Sequence, residues 1–244
     1  MNWLGGKVLE NRRWTETLFS LRVEAPKLSF QAGQFVRIAL DVDAERVARA
    51  FSFVNPPEDP VLEFYGVIVP DGPLSPRLAR LRGGDTLQIA SNPAGFLVLS
   101  EVADAQTLWL LSTGTGLAPF LSILRTDAPW RRFREVVLVH AVRQARELVY
   151  REMIAMLQKE RGLRYVSCVS REAAPGALAG RIPAAVRDGR LEAAAATRLS
   201  PETSQVLLCG NPDMLKDTTA ALAERGMRKH RRRAPGHITT ESFW

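Results

Sequence analysis

The chain has 244 residues, 46% of them hydrophobic and 24% charged, with a net charge of +7. That length suits two ordinary domains with packed cores, and it excludes a disordered, collagenous or disulfide-stapled chain. The charge is uneven: residues 1–100 hold 11 Lys/Arg against 11 Asp/Glu, while residues 101–244 hold 22 against 15.

In chain order, Met1 to Lys7 carries no apolar signal core, and no apolar run nears the roughly 18 residues of a membrane span. A soluble, cytoplasmic protein is expected. The first hundred residues then read as short strands. Phe19, Leu21 and Val23 alternate with Ser20 and Arg22, and Val36, Ile38 and Leu40 alternate with Arg37 and Ala39. Arg49-Ala50-Phe51-Ser52 falls on another strand, followed by the rigid connector Pro56-Pro57-Glu58-Asp59-Pro60. Leu87 and Ile89 follow the turn Arg82-Gly83-Gly84-Asp85. Alternating strands split by Gly, Pro and Asp turns predict a closed or sandwiched antiparallel sheet. A short helix is predicted over Ser75–Leu81, with Ser75 as cap and Pro76 at the first helical position.

Past a boundary near Ser100–Ala105 the pattern changes. Leu108–Leu111, Val136–Val139, Tyr165–Val169 and Val206–Cys209 are continuous apolar runs, the mark of strands buried on both faces of a parallel sheet. Helical stretches lie between them at Ala118–Thr126, Glu147–Arg161 and Pro212–Arg225. The fold expected is therefore two-domain: an N-terminal antiparallel β-barrel over residues 1–100 and a doubly wound parallel α/β domain over residues 101–244.

Ligands of parallel sheets sit at the carboxyl ends of the strands. Two such ends carry glycine: Ser112-Thr113-Gly114-Thr115-Gly116, and Cys209-Gly210-Asn211-Pro212. Glycine lets a phosphate approach the backbone, though each turn alone also reads as an ordinary tight connection. Neither is a Walker loop or a G-x-G-x-x-G fingerprint. Cys168 and Cys209 lack metal-ligand spacing, and no metal site is expected. Arg225, Arg228, Lys229, Arg231, Arg232 and Arg233 form a basic cluster that composition alone leaves open between nucleic acid, anionic membrane, acidic protein and anionic cofactor.

Arg49-Ala50-Phe51-Ser52, Gly72-Pro73-Leu74-Ser75, Gly114-Thr115-Gly116, Cys209-Gly210-Asn211-Pro212 and a terminal aromatic pair occur in that order. The ordered set closely resembles the bacterial ferredoxin/flavodoxin–NADP reductases along essentially the whole chain. The resemblance implies FAD on the barrel and NADP on the α/β domain, with hydride passing between NADPH and FAD and single electrons between FAD and ferredoxin or flavodoxin. It assigns FAD contacts to Arg49, Ala50, Phe51, Ser52, Phe64, Tyr65, Val67, Ile68, Gly72, Leu74, Ser75 and Thr115. Phe243 and Trp244 would cover the flavin and the adenine. Ser52, Cys209 and Glu241 would surround the reacting atoms. Arg143, Ser170, Arg171 and Arg181, with Gly210 and Asn211, would hold NADP, the arginines on its 2′-phosphate. Phe51 departs from the family's usual tyrosine, keeping a ring face and losing a phenol hydroxyl. The acidic electron carriers would meet the basic cluster from Arg225 to Arg233, and a monomer is expected. Competing readings are a flavin reductase or oxygenase reductase component of the same fold, a nucleic-acid-binding protein, and a non-catalytic structural protein.

Overall fold

The computed structural model describes residues 2–242. Its first half contains β1 (Trp3–Arg13), β2 (Leu18–Glu24), β3 (Phe35–Val42), β4 (Glu45–Ser52), β5 (Val61–Val67), the one-turn helix α1 (Ser75–Leu78) and β6 (Thr86–Ala90). The six strands form an antiparallel sheet in the order β4-β3-β6-β1-β2-β5. The two ends of that order meet. Phe53 bridges to Phe64, and the Val54 amide donates to Glu63 O at 2.8 Å, so the sheet closes into a barrel. Phe19, Leu21, Val23, Ile38, Leu87 and Ile89 fill it, with Phe53 stacked on Phe30 at 3.8 Å. Beyond the bridge, no ladder among the described residues joins 49–52 of β4 to 65–67 of β5.

Alternation predicted β2, yet Leu18 and Ser20 on its outer face are also buried. The reason is the second half, which covers that face. It contains β7 (Thr107–Thr113), α2 (Leu117–Leu124), α3 (Ala128–Arg132), β8 (Glu135–Val142), α4 (Arg151–Arg161), β9 (Arg164–Val169), β10 (Ala177–Ala179), α5 (Ile182–Arg187), α6 (Arg190–Ala195), β11 (Ser204–Gly210), α7 (Pro212–Ala223) and β12 (Ile238–Ser242). The strands are all parallel, in the order β10-β9-β8-β7-β11-β12. Each continuous apolar run splits between two layers, because strand side chains alternate. Leu108, Leu110 and Leu138 pack with α2, α4 and the barrel residues Leu18, Val54 and Tyr65. Trp109, Leu111, Val137 and Val139 pack with α5, α6 and α7 on the other face.

Polar contacts fix one half against the other. Ser122 Oγ donates to Asn55 O at 2.7 Å, and Arg125 pairs with Asp59 at 3.2 Å and Glu63 at 3.5 Å. Tyr150 donates its hydroxyl to Glu63 Oε1 at 2.9 Å while its ring lies between Trp14 and Tyr65. Tyr150 has φ 57°, a left-handed conformation that non-glycine residues rarely adopt. That residue stops the helix predicted over Glu147–Arg161 from starting before Arg151.

Two other expectations are corrected. Ser75 does not cap α1. Leu74 occupies the cap position, and Ser75 Oγ instead accepts from the Val69 amide at 2.9 Å, tightening the turn that leads into the helix. Arg225 is not part of an open basic surface, since its guanidinium is held by Glu192, Leu199 O and Val186 O inside the second half. No helix among the described residues is long and apolar enough to cross a membrane.

Candidate active site

The sheet order places β7 beside β11, so their glycine turns become one structure. The chain after β7 forms a tight turn at Gly114–Gly116, and a Cβ at Gly116 would fall 2.4 Å from Cys209 O. Gly210 has φ +135°, and a Cβ there would lie 2.2 Å from Thr113 Oγ1. That same hydroxyl accepts from the Asn211 amide at 3.0 Å. Asn211 spends its side-chain oxygen capping α7, accepting from Asp213 N at 2.9 Å and Met214 N at 3.3 Å. The interlocked turns face the barrel, with 114–116 lying against β5. Thr115 is half-buried there.

On the barrel side, the unjoined edges of β4 and β5 leave main-chain groups facing one another. Arg49 and Ala50 are exposed on β4, and the Arg49 guanidinium donates to Ala48 O at 2.8 Å. Phe51 is half-buried against Gly66, where a Cβ would meet Phe51 Cε1 at 3.0 Å. Ser52 is 2% exposed, and its buried hydroxyl has no hydrogen-bond partner among the described residues. On β5, Phe64 turns its ring into the barrel core, 5.4 Å from Phe53. Tyr65 packs on Tyr150, and its buried hydroxyl also lacks a partner among the described residues, with burial pushing its pKa up. These two therefore offer the slot their backbone, while Val67 and Ile68 are half-buried. Gly72 and Ser75 tighten the turn beyond β5, with the Gly72 amide donating to Val69 O at 2.9 Å, and Leu74 is buried beneath it.

The third wall comes from β12, whose register sets Glu241 beside Cys209 and Ser242 beside Gly210. Glu241 crosses to the barrel. A Cβ at Gly95 would lie 2.9 Å from Glu241 Oε1 and 3.1 Å from Phe35 Cδ1, and Phe35 is the β3 partner of Ser52. Glu241 Oε2 is buried without a partner among the described residues. Burial raises this carboxyl to about pKa 7, opposed by a hydrogen bond from the Phe96 main chain. Burial, reinforced by the Glu241 charge, likewise holds Cys209 as a thiol. Ser52, Cys209 and Glu241 thus converge on one junction through Phe35, Gly95 and the β11–β12 ladder. Phe243 and Trp244 lie outside the described residues.

A carboxyl that gains protons on folding weakens the fold as pH rises from its ordinary value through about 7. Glu241→Gln has no such titration. The expected result is that the melting-temperature advantage of the variant over wild type grows between pH 4.5 and 7 and is flat above pH 8. Parallel curves would refute the assignment.

The arginines at the outer carboxyl edge form a second group. Arg143, Arg171 and Arg181 follow β8, β9 and β10, all exposed. The Arg171 amide donates to Arg143 O at 2.9 Å, and Ser170 Oγ donates to Val142 O at 3.3 Å. None of the three guanidiniums has an ion-pair partner among the described residues. Glu147 Oε2 accepts from the Arg143 and Gln144 amides at 2.8 and 3.1 Å, fixing that loop.

Sequence reasoning missed Gly95, Glu147 and His140. Gly95 sits in the turn Asn92-Pro93-Ala94-Gly95, which was a visible signal. His140 gave none: it is wholly buried on β8 between Ser112 and Ser167, and burial lowers its pKa to about 4, keeping the ring neutral. No cluster of three or more His, Cys, Asp or Glu that could hold a metal occurs among the described residues.

Residues 9–97 match the oxidoreductase FAD-binding domain family and residues 110–220 the oxidoreductase NAD-binding domain family. The chain is 52% identical to the flavodoxin/ferredoxin–NADP reductase of Escherichia coli K12 over 246 aligned residues, covering 100% of this chain and 99% of that one. It is 38% identical to the ferredoxin–NADP reductase of Pseudomonas aeruginosa, covering 91% of this chain and 90% of that one. A solved ferredoxin NADP+ reductase from Neisseria gonorrhoeae with bound FAD and NADP superposes with a TM-score of 0.95 at 35% identity, over 99% of each chain. The overall fold is thus shared along the full length, and the chain is an oxidoreductase that belongs to the flavodoxin/ferredoxin–NADP reductase family.

Proposed function

We propose that this protein moves electrons between NADPH and an acidic one-electron carrier, a ferredoxin or flavodoxin, through FAD. One observation supports it most. At the junction of the two halves, an unjoined β4–β5 slot faces two glycine turns, and Ser52 Oγ and Glu241 Oε2 are buried beside it without partners among the described residues. Buried polar atoms of this kind are costly unless a ligand satisfies them. A flat, polar-edged ring system fits that requirement, and so do the exposed Arg49 and the half-buried Phe51 ring at the slot's mouth.

On this reading residues 1–100 hold FAD and residues 101–244 hold NADP. Bound FAD supplies the two-electron acceptor and the one-electron donor in a single molecule. Arg49 neutralises the pyrophosphate, with the turn of Gly72, Leu74 and Ser75 offering main-chain groups beside it. Phe51 supports one ring face, and the edges of Phe64, Tyr65, Val67 and Ile68 line the other strand. Ser52 Oγ and the Glu241 carboxyl hydrogen-bond the reacting region, and near neutral pH Glu241 serves as donor or acceptor according to its proton. Cys209 packs as a neutral thiol and is no nucleophile. Thr115 and Gly210 let phosphate and nicotinamide approach the backbone, with Asn211 holding the α7 start in place. Arg143, Ser170, Arg171 and Arg181 bind the 2′-phosphate, since a guanidinium fork matches phosphate oxygens. The enzyme is a cytoplasmic monomer.

Arg228, Lys229, Arg231 and Arg233 remain exposed on the segment before β12, and they steer an acidic carrier toward the slot. The test is turnover of the FAD-loaded protein with NADPH and NADH, first with ferricyanide and then with cytochrome c plus added flavodoxin. NADPH-specific ferricyanide reduction is expected, with a flavodoxin association rate falling about tenfold or more between low and physiological salt. A protein that binds no FAD, or reduces nothing with NADPH, ends the proposal. A salt-independent association rate removes the steering role of the basic segment.

A further inference from the structure

Phe96 is 61% exposed, the most exposed large apolar side chain among the described residues. Isolated surface aromatics are ordinary, but this ring is held in place. The Arg232 guanidinium lies over it at 4.4 Å from the ring centroid, and that guanidinium is fixed by Glu101 through contacts of 2.7 and 3.3 Å. Arg232 stands at the tip of a tight turn closed by reciprocal hydrogen bonds between Arg231 and Ala234 at 3.1 and 2.9 Å. A segment from the second half thus reaches back to orient a ring of the first. Gly95, immediately before Phe96, carries φ +112° and abuts Glu241 Oε1, which sets the ring at the rim of the active-site junction.

Resting on the electron-transfer reading above, we propose that Phe96, oriented by Arg232 and Glu101, is the apolar anchor of the docking face for an acidic one-electron carrier protein. Protein interfaces concentrate their binding energy in a few aromatic and arginine residues at the centre, with charges around them governing encounter. Here an aromatic–arginine pair is the candidate centre, and the segment that carries Arg232 also bears the exposed Arg228, Lys229, Arg231 and Arg233. An acidic partner complements those charges, and its arrival at the rim of the junction gives the short path that electron exchange requires.

The experiment measures the dissociation constant of FAD-loaded protein for purified bacterial flavodoxin by calorimetry, at low and physiological salt. Phe96→Ala is expected to weaken binding about tenfold or more at both salts, Phe96→Leu less, and Glu101→Gln about threefold by freeing Arg232. Binding by Phe96→Ala within about twofold of wild type overturns the proposal. It is also overturned if Phe96→Ala weakens binding of a DNA duplex equally, or if it dissociates a dimer of this chain, because the face then serves another occupant. Wild-type protein that fails to reduce ferricyanide with NADPH brings down the underlying reading. Wild-type turnover with an unchanged flavodoxin affinity in Phe96→Ala brings down the anchor alone.

Discussion

Gly210→Ala is expected to lose NADPH-driven turnover by a factor of about a hundred or more and to melt about 5–15 °C lower. Alanine disfavours the φ of +135°, and its methyl would sit 2.2 Å from Thr113 Oγ1 and 2.8 Å from Thr113 O. Thr113 cannot yield freely, because its hydroxyl accepts from the Asn211 amide that begins the capped turn of α7. The strain therefore spreads to the adjoining 114–116 turn and to Cys209, whose carbonyl already lies where a Gly116 Cβ would be. A matched control separates stability from chemistry. Gly114→Ala meets open space, so despite its φ of +52° it should cost only about 1–2 kcal/mol and leave most turnover. Calorimetry and stopped-flow flavin reduction read both. Wild-type melting and turnover in Gly210→Ala would show that the close approach of the two turns is dispensable.

The second large effect concerns cofactor choice. The double variant Arg143→Ala, Arg171→Ala should raise KM for NADPH about a hundredfold or more while changing KM for NADH less than threefold. Each charge-assisted contact to a phosphate contributes about 1.5–3 kcal/mol, and NADH lacks the phosphate. The two positions are joined through the Arg171 amide and Arg143 O, so the single variants should not add to the double. Steady-state kinetics with both nucleotides decide it. Equal losses with NADPH and NADH would mean that these arginines hold something common to both.

Much of the fold was legible where one physical pressure acts alone. Leu108–Leu111 is apolar throughout because both faces of β7 are covered, and Phe19, Leu21 and Val23 mark the face of β2 that fills the barrel, while Leu18 and Ser20 on its other face are buried too, against the second half. β1 was not legible. Over Trp3–Arg13 only Gly6 and Val8 are buried, and the pairing shifts between Val8 and Glu10, so no clean period appears. β12 was hidden for another reason. It is an edge strand whose Thr239, Thr240 and Glu241 are only half-buried, and its place is set by the Val206–Ile238 to Gly210–Ser242 ladder rather than by its own apolar content. Tyr150 shows local propensity overridden by tertiary contact, since its bond to Glu63 and its packing on Trp14 hold a left-handed backbone inside a helical pattern. Among site residues, motifs marked the glycine turns and β4, while Gly95 and Phe96 acquire meaning only once Glu241 and Arg232 arrive from the far end of the chain.

The barrel is stitched shut at one place. Ladders of five or more register pairs hold β1 to β2, β1 to β6, β2 to β5 and β3 to β4, and two register pairs join β3 to β6, but among the described residues the two end strands are joined just past β4, by the Phe53–Phe64 bridge and the bond from Val54 to Glu63. A fluctuation that parts that seam leaves those long ladders intact, so it belongs to local breathing and not to global unfolding. The slot proposed to hold the flavin begins where the seam ends. Cofactor entry and escape can then run on the timescale of this one opening, which decouples how tightly the flavoprotein keeps its pigment from how stably the rest of the barrel is folded.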